Sequence, residues 1–143
     1  MTGDEFNLQR FVEAQDQGGT YEQALAELRA GRKRSHWIWF VFPQIEGLGS
    51  SETARFYAIS SLREATAYLA HPLLGPRLAE AAEALLALPT RDAQAVLGDV
   101  DALKLRSSMT LFENVDGAGP VFGLVLDRFY GGERDSATER LLG

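Results

Sequence analysis

Residues 37–42 run Trp-Ile-Trp-Phe-Val-Phe, and whether this stretch is a strand or a helical turn decides the fold class. Nothing in it is polar, and an element apolar all round is normally buried on every side. Its shortness and its β-branched and aromatic content favour a strand. Periodicity alone does not separate a buried strand from a buried helical turn. Pro43 ends the element in either case.

Just before it stand Arg32, Lys33 and Arg34, three cations in a chain of formal net charge −6, followed by Ser35 and His36. Just after it come Gln44 and the turn Gly47-Leu48-Gly49-Ser50-Ser51. The plain reading is a core element with a solvated basic collar. The functional reading makes His36, Trp37, Trp39 and Gln44 the wall of a ligand pocket, because pockets combine aromatic walls with a few convergent polar groups.

Outward from this segment the signals are helical. Phe6 to Gln15 carries apolar residues at mostly helical spacing, closed by Gly18-Gly19. Thr20 with Gln23 forms a capping-box pattern that opens a helix through Ala30, with Gly31 as its terminator. A serine at 50 or 51 caps a helix from Glu52 to Ser60, and Leu62 to Ala70 continues or restarts it up to His71-Pro72. Helices follow over Leu73 to Leu88 and, capped by Thr90 or Asp92, up to Leu97. Val100 to Val115, Val121 to Tyr130 and Ser136 to Leu142 complete the set. The expectation is one mainly α domain over residues 1–143, with about eight helices.

Composition bounds the function. A chain of 143 residues, 45% hydrophobic and 24% charged, suits one ordinary globular domain. Cysteine is absent and only His36 and His71 are imidazoles, so thiolate chemistry is excluded and no metal site is expected. The start MTGDEFNLQR lacks the charge and apolar run of a signal peptide, and no stretch approaches membrane-spanning length. A cytoplasmic protein without membrane contact is expected. A pI near 4.9 argues against nucleic-acid binding, whose affinity comes from cations neutralising phosphates.

Three features could carry chemistry. The 47–51 turn has the flexible glycines that let a backbone approach phosphate, yet no P-loop lysine follows and the dinucleotide glycine pattern is missing, so no cofactor is expected. In residues 101–112 two cations and three hydroxyls crowd a helix that also needs a core stripe of Leu105, Met109 and Phe112. Lys104, Arg106 and Ser107 there are candidate anion ligands, the alternative being solvated cations and small residues that allow close packing. His36 is the candidate general base. No Ser/His/Asp order or acidic metal cluster accompanies it, so no catalytic residue is assigned and the sequence does not separate enzyme from binding protein.

The strings RFVEAQD at 10–16, YEQALAELRAGRKRSHWIWFVFPQIEGLG from Tyr21, AYLAHPLLGPRL from Ala67, LKLRSSMTLF at 103–112 and LDRFYGGERD from Leu126 resemble, in order and over nearly the whole chain, the family catalogued as domain of unknown function 1810. The resemblance implies a compact all-α fold, and therefore a buried helix rather than a strand at 37–42. It implies no established activity. Some relatives bear the label calpastatin, which implies a disordered inhibitor, and the 45% hydrophobic content contradicts that. A looser likeness, through the lysine helix with its Met and Phe and the short helix after it, points to all-α proteins that process NAD and ADP-ribose derivatives.

Two functions compete on these grounds. The leading one is a cleft that binds a small phosphorylated or nucleotide-like ligand through His36, Trp37, Trp39, Gln44, Lys104, Arg106 and Ser107. Its rival is a protein-interaction module whose basic 32–34 patch docks an acidic partner.

Overall fold

A computed structural model describes residues 4–143, and among them the regular secondary structure is helical throughout. Ten α-helices follow in order: α1 (Gln9–Asp16), α2 (Thr20–Ala30), α3 (Ile38–Val41), α4 (Glu52–Phe56), α5 (Leu62–Ala70), α6 (Leu74–Leu86), α7 (Ala93–Leu97), α8 (Asp99–Glu113), α9 (Val121–Tyr130) and α10 (Ser136–Leu142). The fold is all-α, with ten helices among the described residues where about eight are expected. The strand preference of residues 37–42 is overturned in favour of the helix that the family resemblance implied.

α8 is the axis of the molecule. It packs against α3, α5, α7, α9 and α10. Leu105, Met109 and Phe112 recur along it at helical spacing and are fully buried, so the expected stripe is the core-facing one. Aromatic rings carry the core across four helices: Phe11 of α1 meets Tyr68 of α5 at 5.1 Å, Tyr68 meets Phe112 at 5.3 Å, and Phe112 meets Phe122 of α9 at 5.9 Å. Such tilted and edge contacts add to the apolar area the rings already bury.

Local signals fix most boundaries. Ser51 caps α4 through Ala54 N–H, Asp92 caps α7 through the amides of Gln94 and Ala95, and Asp135 caps α10 through Thr138 N–H. Gly31 ends α2 at φ 77°, a left-handed backbone that costs glycine little. His71 serves as a turn residue, its Nδ1 accepting the amides of Leu73 and Leu74 where α6 begins.

Two expectations are corrected. No capping box opens α2: a 3-10 turn at Gln17–Gly19 leads straight into it, and Thr20 Oγ1 donates back to the Gln17 carbonyl at 2.6 Å. The helix expected to run to Ser60 stops at Phe56, because the chain there peels away to pair with residues 44–46. Ile59 N–H donates to the Gln44 carbonyl and Glu46 N–H to the Ile59 carbonyl, both at 2.8 Å.

Two buried polar groups brace the bundle. Arg10 donates to Glu64 and to the carbonyls of Phe6, Asn7, Phe56 and Ala58, while Glu64 also accepts from the amide and hydroxyl of Ser60. Their side chains are only 8% and 3% exposed, so this ion pair is buried with its hydrogen bonds made. Gln15 likewise donates to the Phe40 carbonyl and to Tyr68, and accepts from Arg77. It thereby fixes α3 against α1.

Candidate functional site

The aromatic run explains why a loop of cations is ordered at all. α3 is a single turn, so Trp37, Ile38, Val41 and Phe42 turn inward while Trp39 and Phe40 are only half-buried. The expectation of burial on every side therefore fails at Trp39, which reaches the surface. Trp37 is fully buried, and its indole N–H must find an acceptor.

That acceptor is Glu27 of α2. Its carboxylate takes the Trp37 indole N–H at 2.9 Å, the Arg34 amide at 2.8 Å, the Ser35 amide at 3.1 Å and the Ser35 hydroxyl at 2.7 Å, with Gln23 Nε2 at 3.2 Å. Burial pushes the carboxyl upward, but the bonds from Arg34, Ser35 and Trp37 outweigh it and bring the pKa down to about 2. Glu27 thus holds the 31–37 loop as a buried anion. Nothing in the sequence marks it, since an exposed helical glutamate would have the same local pattern.

The loop faces the start of α8 across an open cleft of about 530 Å³, whose walls include Lys33, Arg34, His36, Trp39, Asp99, Val100, Asp101 and Lys104. Lys33 does not face solvent with its neighbours. Its ammonium pairs with Asp101 at 2.9 Å and lies 5.1 Å from the Trp37 ring centre, its side chain only 8% exposed. Lys104 Nζ stands 5.0 Å from the centre of the Trp39 ring, within cation–π reach. Among the described residues, neither Lys104 nor Arg34 belongs to an ion pair. His36 is exposed in the same cleft.

Of the seven sequence candidates, then, the cleft brings together His36, Trp39 and Lys104. The other four lie elsewhere. Trp37 is beneath the wall, in the core. Gln44 contributes its carbonyl to the pairing with Ile59. Arg106 is two residues beyond Lys104, and residues so spaced do not share a helix face. It turns to a second hollow of about 270 Å³ with Arg91 and Tyr130, where Glu133 at 2.7 Å and Asp135 at 3.8 Å hold its guanidinium. Ser107 donates to the Leu103 carbonyl and to Asp135, and Thr110 accepts the Asp135 amide. The cation–hydroxyl pair Arg106 and Thr110 is therefore spent on docking α10.

The Trp39 indole lines one cleft with Arg34 and Lys104, two cations that form no ion pair among the described residues. His36 lacks the hydrogen-bonded partner that would orient an imidazole for proton transfer, among the described residues. Among those residues, no group of three or more His, Asp or Glu side chains is placed to hold a metal ion, and no helix is long and apolar enough to cross a membrane.

The comparisons with known proteins agree with the fold. The crystal structure at 1.38 Å of the conserved hypothetical protein Rv1873 from Mycobacterium tuberculosis is similar with a TM-score of 0.93 and 51% sequence identity, over 97% of this chain and 98% of that one. Comparison with curated proteins finds no match. The family model described as protein of unknown function (DUF1810) matches residues 5–142, and the chain belongs to that family.

Proposed function

We propose that the cleft between the 33–39 loop and the start of α8 binds a small phosphorylated or nucleotide-like ligand. The observation that supports this reading is the Trp39–Lys104 pair, an aromatic face with an unspent ammonium 5.0 Å from its centre, opening onto a cleft that Arg34 also lines. A base or other flat ring stacks on an indole, and a phosphate accepts charge-assisted hydrogen bonds from ammonium and guanidinium.

Other concavities have less to offer such a ligand. A shallower hollow of about 640 Å³ beside α4 has a single cation, Arg55, opposed by Glu52. The hollow holding Arg10 and Arg55 also contains Glu5, Glu46 and Glu64, so its carboxylates outnumber its cations. Docking of an acidic protein on the basic 32–34 stretch has less support than the sequence suggested, since Lys33 is spent internally on Asp101.

A thermal-shift and calorimetric screen against nucleotides, NAD and ADP-ribose tests the proposal. A ligand at a hundredfold excess over its Kd stabilises the fold by about 2.7 kcal/mol. Binding that disappears in Lys104→Met supports the cleft. A flat response across the whole panel removes the reading.

A further inference from the structure

We infer that the cleft selects a nucleoside monophosphate over the corresponding polyphosphates, an inference that rests on the ligand-binding reading above. Three cations and two carboxylates line the cleft. Lys33 and Asp101, at 2.9 Å and with side chains 8% and 18% exposed, neutralise each other and form part of the wall. That leaves Arg34 and Lys104 without an ion pair among the described residues, and Asp99 exposed on the first turn of α8.

Two free cations match the charge of one phosphate monoester, about −1.5 to −2 near neutrality. Lys104 Nζ lies over the Trp39 ring, 5.0 Å from its centre, so a phosphate that draws this ammonium to itself belongs to a ligand short enough to keep its ring against that indole. Asp99 stands five residues before Lys104 on the same helix, about 7.5 Å along its axis. Both residues line the same cleft, so Asp99 opposes every further negative charge brought into it. The same carboxylate accepts hydrogen bonds from sugar hydroxyls or a base amine, and neighbouring Val100, 65% exposed, offers an apolar surface beside it. A second or third phosphate meets no unspent cation here and one unspent anion. The cleft therefore has a place for a ring, a sugar and one phosphate.

Calorimetric titration of the full chain decides this, using AMP, GMP, CMP and UMP, their triphosphates, adenosine and inorganic phosphate. At least one monophosphate binds about fivefold or more tightly than its triphosphate. Asp99→Asn narrows or reverses that ratio, and Lys104→Met weakens the monophosphate about tenfold or more. A triphosphate bound as tightly as its monophosphate, or a ratio unmoved by Asp99→Asn, overturns the inference and leaves the cleft as a nucleotide site. Adenosine binding as well as AMP overturns the role given to the phosphate. Inorganic phosphate binding as well as the nucleotides overturns the role given to Trp39. If none of the compounds binds, the inference and the reading beneath it fall together.

Discussion

The indole Nε1 of Trp37 donates to Oε1 of Glu27 across 2.9 Å, and this bond ties the aromatic run to α2. Because the same carboxylate also holds the Arg34 amide and both donors of Ser35, one buried anion sets the path of the whole loop that walls the cleft. Glu27→Ala leaves these donors unpaired, and an unsatisfied buried donor costs about 1–3 kcal/mol. Chemical denaturation should show a loss of about 3 kcal/mol or more, and Glu27→Gln, which keeps one acceptor oxygen, a smaller loss.

The same group makes stability fall in acid. Its folded pKa, about 2, lies below the ordinary value of 4.5. Above pH 4.5 the carboxylate is ionised in both states, so its stabilising contribution is complete. As pH drops from 4.5 towards 2 the unfolded chain takes up the proton first, and about 3 kcal/mol is lost. Urea melts from pH 7 to pH 2.5 should find wild type and Glu27→Gln converging over that window. A constant gap between them would show that Glu27 titrates normally.

Arg10 and Glu64 should behave as a unit. Removing one partner of a buried pair leaves the other charge uncompensated, at about 3–5 kcal/mol. Arg10→Met and Glu64→Leu each lose that much in equilibrium unfolding, whereas the double variant loses less than their sum. Arg10→Lys does not restore wild-type stability, because the guanidinium serves five acceptors at once and an ammonium has three donors.

Gly75 makes the crossing of α5 and α6 close. A Cβ there would lie 2.1 Å from the Leu69 carbonyl oxygen and 2.9 Å from its carbon, both of them backbone atoms that no rotamer change can move. Gly75→Ala must push the helices apart, and overpacking of this kind costs about 1–3 kcal/mol or more. Its melting temperature should drop by several degrees. Near-wild-type melting would mean the two helices slide freely.

Lys104 and Arg106 should separate cleanly in a ligand assay. Lys104→Met is expected to leave the melting temperature almost unchanged and to weaken nucleotide binding. Arg106→Leu strips the partner from Glu133 and Asp135, so it costs stability, about 1 kcal/mol for so exposed a network, while binding is retained. The reverse result would move the site to the Arg91–Arg106 hollow.

The sequence by itself determined what adjacent residues determine. Helices at Val121–Tyr130 and Ser136–Leu142 were legible to the residue, because the glycine pair at 131–132 is a local stop signal between them. So was the stripe of Leu105, Met109 and Phe112, since helical periodicity shows which face is buried. Residues 37–42 were not, because an apolar run satisfies a buried strand and a buried helical turn equally well. Only likeness to a family pointed to the helix. Tertiary structure alone decided that Glu27 is an anion inside the protein, that Lys33 is neutralised by Asp101 sixty-eight positions away, and that Lys104 rather than Arg106 faces Trp39. Each of these depends on which surfaces distant helices present to one another, and no local pattern of residues carries that information.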